Sequence, residues 1–143
     1  MILSEVRTTI RDRLITLGYS EWTGFSDDNV PNTILEDTFH CTVLSGSGAA
    51  LKMHVLVLPS DVRVTIWKKG FRSPVEAEDA GLASIQEILC DLLSPAVRTL
   101  PAYRRIDLSS YSLEALSADN DTIIKCVINL VVETILEVTQ PVT

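Results

Sequence analysis

The stretch that most constrains the fold is "DTIIKCVINLVVETILEV", Asp121 to Val138, because it fits two periods at once. Lys125, Asn129, Glu133 and Glu137 lie four apart, as a polar stripe on a helix would. Ile124, Cys126, Ile128, Leu130, Val132, Leu136 and Val138 all fall on even positions, as one face of a strand would. Ten of the 17 residues from Thr122 to Val138 are β-branched, which costs helix propensity and suits a pleated surface. An even spacing also keeps all four polar residues on one strand face, so a strand accounts for both patterns. At about 3.3 Å per residue it would run about 55 Å, far beyond an ordinary strand. Such a strand is expected to bend, to carry a bulge, or to extend past its own domain. Its mixed odd face, with Lys125, Asn129 and Glu133 among Ile and Val, suggests contact with a second layer or another subunit.

The rest of the chain sets that strand in an α+β order. Leu3, Val6, Ile10, Leu14 and Leu17 recur at spacings of three and four and are followed by Gly18, which predicts an amphipathic helix with a glycine stop. "YSEWTGFSDDNVPNT" reads as an irregular connection pinned by Tyr19, Trp22 and Phe25. From Ile34 the period becomes two. Strands are predicted through Val43, from Leu51 to Leu58 and from Val62 to Trp67, with "SGSGAA" and "PSD" as turns of an antiparallel meander. Ser73, Pro74 and Glu76 open a second helix with an N-cap, a first-turn proline and a capping-box partner. Its buried face is expected to be Leu82, Ile85, Ile88, Leu89 and Leu92, and Ser94-Pro95 ends it. Residues 96 to 121 are less regular, with a short strand around Arg104 to Leu108. The expected architecture is an antiparallel β-sheet of mixed-length strands with an N-terminal and a central helix packed on it, in one domain spanning residues 1–143.

Composition bounds the function. A 143-residue chain with 46% hydrophobic residues can bury a single core. Its formal charge of −7 opposes nonspecific attraction to DNA or anionic membranes. Cys41, Cys90 and Cys126 are far apart, form no CxxC pair and lie in apolar patterns, so they are expected to be buried thiols. The charged opening "MILSEVRTTIRDRL" matches neither a secretory leader nor a membrane span.

No catalytic constellation emerges, and no catalytic residue, metal or cofactor is expected. His40 and His54 fall on polar faces of neighbouring strands without the Cys or carboxylate spacing of a metal site. The side chains of Cys41 and His40 point to opposite faces, and no GxSxG elbow is present. "SGSGAA" lacks the GK[ST] ending of a phosphate loop. Asp27-Asp28 and Glu36-Asp37 read as solvated loop charge. The basic clusters Lys68-Lys69 with Arg72, and Arg104-Arg105, lack the aromatic interleaving of a single-strand binder.

This order of elements resembles the tail terminator and tail-completion (neck) proteins of tailed bacteriophages, lambda tail terminator-like. The resemblance is carried by "SEVRTTIRDRLITLG", "TFHCTVLSGSGAALKMHVLVL", "GFRSPVEAEDAGLASIQEIL" and "DNDTIIKCVINLVVETI". The chain departs from that outline in a longer segment before the last strand and in the extra strand "DVRVTIWKKG". The resemblance implies a structural virion protein, assembled in the host cytoplasm as a homo-oligomeric, usually hexameric, ring at the head-proximal end of the tail tube. Such a ring ends tube polymerisation and joins the tail to the head connector. Its partners would be the tube protein and the neck or connector protein, with genomic DNA passing through the lumen unbound and no membrane involved. The family supplies no motif residues, so interface candidates come from position: the hairpin Ser45 to Ala50 with Ser45, Gly46, Ser47 and Gly48 at its tip, the basic Lys68, Lys69 and Arg72, and the odd-face Lys125, Asn129 and Glu133. The alternatives are a neck or head-completion ring bridging portal and tail, a ferredoxin-like or chaperone-like cellular binding module, and an enzyme built on His40, His54 and loop carboxylates.

Overall fold

A computed structural model of the chain describes residues 2–21, 38–46, 49–52, 55–71, 73–95, 105–118 and 121–137. Among these residues two helices, α1 (Ile2–Thr16) and α2 (Pro74–Leu92), accompany six strands: β1 (Ser20–Glu21), β2 (Thr38–Gly46), β3 (Ala49–Lys52), β4 (Val55–Phe71), β5 (Arg105–Ala118) and β6 (Asp121–Glu137). The strands form one sheet in the order β1-β2-β4-β6-β5, with β3 also paired to β4. All pairs are antiparallel except the two-residue β1, which runs parallel to β2. The α+β architecture with an N-terminal and a central helix is as expected.

Local chemistry explains both helices. The α1 stripe Val6, Ile10 and Leu14 is buried. Its last turn closes with Gly18 N–H donating to Ile15 O at 3.0 Å and Tyr19 N–H to Leu14 O at 3.1 Å, with Gly18 at φ 103°. That double bond around a left-handed residue is a Schellman stop, which a residue bearing a Cβ adopts only at a cost. At the start of α2, Ser73 Oγ accepts from the Glu76 N–H at 3.2 Å, and Pro74 occupies the first helical position. The two helices are tied together by Arg13, whose guanidinium donates to both carboxylate oxygens of Asp91. That carboxylate, first by hydrogen bonding and then by its charge, raises the Arg13 pKa.

Both helices cover the same side of the sheet. The core joins Val6, Ile10 and Leu14 of α1 and Ala77, Ile85, Ile88 and Leu92 of α2 to Val62, Val64 and Ile66 of β4 and the even positions Ile124 to Val132 of β6. The face of α2 is rotated from the one expected. Leu82 is exposed, and Gly81 lies against the sheet in its place. A Cβ on Gly81 would stand 2.8 Å from Leu113 Cδ2, 3.1 Å from Cys126 Sγ and 3.1 Å from Ile124 Cγ1. Hydrophobicity alone points to Leu82, whereas close approach of helix to sheet needs the residue without a side chain. Cys41 and Cys126 are buried, but Cys90 is exposed on the outer face of α2, a correction to its expected burial.

The strands differ from expectation in three respects. First, "PSD" is not a turn: Pro59, Ser60 and Asp61 lie inside the 17-residue β4, opposite Glu133, Val132 and Val131 of β6. Second, "SGSG" does not reverse the chain. Gly46 pairs with Ser60 and Ala49 with Val57 in one register, so β2 and β3 run collinearly along β4, and the reversal lies between the paired Lys52 and Val55. Third, the segment after α2 holds a strand of 14 residues, β5, where a short one was expected.

The final strand is as long as expected, Asp121 to Glu137. It need not leave its own domain to be satisfied. The equally long β4 pairs with it from Val55↔Glu137 to Phe71↔Thr122, and β5 pairs on its other side as far as Arg105↔Glu133.

Candidate interaction surface

The interface candidates separate into three groups. Ser45 and Gly46 lie in β2 opposite Asp61 and Ser60, not at the tip of a protruding hairpin; Ser47 and Gly48 lie outside the described residues. Main-chain pairing to β4 outweighs the turn composition of this stretch. Lys68 and Lys69 stand near the end of β4, where the register to β6 shifts between Lys68 and Phe71; Lys68 is half-buried and Lys69 exposed. Arg72, like His54, Arg104 and the acidic pairs at 27–28 and 36–37, lies outside the described residues. The basic cluster is therefore described only in part.

Lys125, Asn129 and Glu133 share the sheet face away from the helices, and the structure gives each a row of neighbours. In register with Lys125 are Trp67 of β4 and Glu114 of β5; with Asn129, Arg63 and Ser110; with Glu133, Pro59 and Arg105. The middle row is hydrogen-bonded across three strands. Arg63 Nε donates to Asn129 Oδ1 at 3.2 Å, and Asn129 Nδ2 donates to Ser110 Oγ at 3.0 Å. Beside this row lies an open hollow of about 230 Å³ lined by Leu44, Asp61, Ser109, Ser110, Asn129 and Leu130. Its polar groups are a carboxylate, two hydroxyls and an amide, which together offer both hydrogen-bond donors and acceptors.

At the other end of this face Trp67 and Thr65 are fully buried. Trp67 Nε1 and Thr65 Oγ1 lack hydrogen-bond partners, so the burial is held by the ring's apolar area against the cost of two unmet polar groups. Both residues alternate with the core positions Val64 and Ile66 and so lie on the same face as Arg63. The half of that face toward Trp67 is core-like, and the half from Arg63 to Ile135 is the accessible one: Ile135 is 39% exposed.

Burial removes two cysteines from reactive chemistry. It pushes the Cys41 thiol up to about 12, with Arg7 acting against the rise and Glu21 adding to it, and the Cys126 thiol up to about 12, with Lys68 acting against it. Among the described residues no three His, Cys, Asp or Glu side chains are grouped as metal ligands. No described helix is long and apolar enough to cross a membrane.

Sequence reasoning missed Arg63, Ser110 and Glu114, and noted Arg105 only as half of a basic pair with Arg104. Their significance comes from pairing registers that span up to 66 positions. Asn129, a lone amide among valines and isoleucines, was the one local signal of the middle row. No protein-family model matches the chain, and no curated protein matches it.

Proposed function

We propose that the chain is a structural component of a tailed-bacteriophage virion, acting as a ring at the head-proximal end of the tail tube that ends tube growth and joins the tail to the head connector. The observation that supports this reading is the length of the β4–β6 ribbon. The core cluster shared with the helices ends at Val62 on β4 and Val132 on β6, while the strands run on to Val55 and Glu137 and take β3 with them. This three-stranded extension carries the exposed Ile135 beside Val57 and is long enough to lie across a neighbouring subunit or the tube rim. The net charge of −7 agrees with a lumen through which DNA slides without sticking.

The test is assembly with purified tube protein. Under this reading, substoichiometric amounts of the chain stop tube growth, cap one end, and do so less well when Ile135 is replaced by Asp. Tube growth left untouched, together with binding to portal complexes, would transfer the chain to the head-completion role. A monomer under all conditions, tube protein included, would count against any ring.

A further inference from the structure

Among the described residues β5 is the last strand of the sheet, and no described strand pairs with its outer edge, Arg105 to Ala118. Natural sheets usually blunt such an edge with lysine, proline or a twist. This one contains no lysine or proline, and it exposes two large apolar side chains, Leu108 at 37% and Tyr111 at 53%. We propose that the edge of β5 is a homodimerisation site, pairing antiparallel with β5 of a second copy about a twofold axis between Ser109 and Ser110.

The register follows from the side chains. With the axis there, Arg105 stands opposite the second copy's Glu114, Leu108 opposite its Tyr111, and Asp107 opposite its Ser112. Residues directly opposed in an antiparallel pair must share a face, and these do. Arg105 and Glu114 lie over Glu133 and Lys125 of β6, on the face away from the helices, whereas Leu108 and Tyr111 lie over Leu130 and Ile128, on the helix side. Positions nine apart match only because β5 carries a register shift between Leu108 and Ser110. The bulge that would ordinarily protect an edge here brings the two halves of the strand into self-complementarity. Because Glu133 and Lys125 are an even number apart on β6, the main-chain groups of Arg105 and Glu114 also point the same way.

Neighbouring registers fail. A slip of one residue sets helix-side residues against the opposite face. A shift of two places Asp107 opposite Glu114 in one direction and leaves Arg105 opposite Ser112 in the other. In the chosen register the open face reads Lys125, Glu114, then Arg105 and Glu133 of the second copy, an alternation of charge across the continuous sheet. Within one chain Arg105 already contacts Asp107 on the same face. Ten residues from each copy supply, on either side of the bulge, a ladder of about eight main-chain hydrogen bonds.

This contact is isologous and stops at two copies. It therefore stands apart from the ring reading, which needs a different, head-to-tail contact. Mass by light scattering across a dilution series tests it, with circular dichroism confirming that these surface variants fold. Wild type should populate a species of twice 15.7 kDa. Arg105→Glu and Glu114→Arg alone each create two like-charge pairs per dimer and should weaken it about tenfold. An equimolar mixture of the two single variants should restore dimerisation, because every opposed pair is then of opposite sign. A wild type that stays monomeric, or a dimer indifferent to both variants, would overturn the proposal. A hexamer unaffected by the charge changes would overturn it as well while leaving the ring reading intact, and a charge-sensitive dimer that does not act on tubes would do the reverse.

Discussion

Replacing Gly81 by alanine sets two known effects against each other at one atom. In a free helix the change is favourable by about 1 kcal/mol, because glycine loses the most backbone freedom on folding. In α2 the added methyl would stand 2.8 Å from Leu113 Cδ2, which lies at the end of a partly buried side chain and can swing away. Cys126 Sγ and Ile124 Cγ1, each at 3.1 Å, belong to fully buried residues and have little room to move. Overpacking a closed site costs roughly 1–3 kcal/mol. The expected balance is a net loss of about 1 kcal/mol, read as a lower urea midpoint at unchanged m-value. Leu113→Ala in the same chain should recover part of that loss, so the pair should couple in a double-mutant cycle. Leu82→Ala, one position on and exposed, should change stability by less than about 0.5 kcal/mol. A Gly81→Ala protein more stable than wild type would refute the close approach of α2 to the sheet and, with it, the helix orientation argued above.

Other outcomes follow from the same geometry. Ellman's reagent should label Cys90 in the native protein and reach Cys41 and Cys126 only after denaturation; native labelling of Cys126 at the rate of Cys90 would contradict its burial. The folded pKa of Cys126, raised to about 12 above a reference of 9.0, favours the protonated thiol in the fold. Its contribution is therefore complete below pH 9 and is lost as pH rises from 9 toward 12, so Cys126→Ala should lose less stability than wild type between pH 8 and pH 10.5 in urea melts. Ser73→Ala should cost about 1 kcal/mol by leaving the Glu76 N–H without its cap, and Ser73→Asp should retain most of it. Asn129→Ala, which cuts the Arg63–Asn129–Ser110 chain, should cost roughly 1 kcal/mol, with exposed Ser112→Ala as a near-neutral control.

The elements legible in the sequence are those whose local signals agree. In α1 a period of 3.6 ends at a glycine, and in α2 a serine, a proline and a glutamate mark the start, so cap and periodicity reinforce each other. The final strand was legible because its β-branched content decided between two periods that the spacing alone left open. The β2–β3 stretch was misread because serine and glycine carry turn chemistry wherever they occur. Only the long-range pairing of Gly46 with Ser60 and Ala49 with Val57 shows that the strands on either side lie along β4 in one register. Leu82 was misassigned for a related reason: burial follows distance of approach as well as hydrophobicity, and the approach is set by the sheet.

Strand β5 shows why the candidate surface was the least legible part. Ile106 and Leu108 alternate on even positions, and Tyr111, Leu113 and Ala115 on odd ones, so a search for a single period of two finds only a short strand. The register shift at Ser109 divides one strand into two out-of-phase patterns. With that shift restored, both halves present their apolar residues to the helix side, and Arg105 and Glu114 come to one face beside Glu133 and Lys125. The lysine and glutamate of the final strand could be picked out from spacing alone. Their charged neighbours, and the self-complementary edge those neighbours form, follow only from a bulge that disguises the strand carrying them.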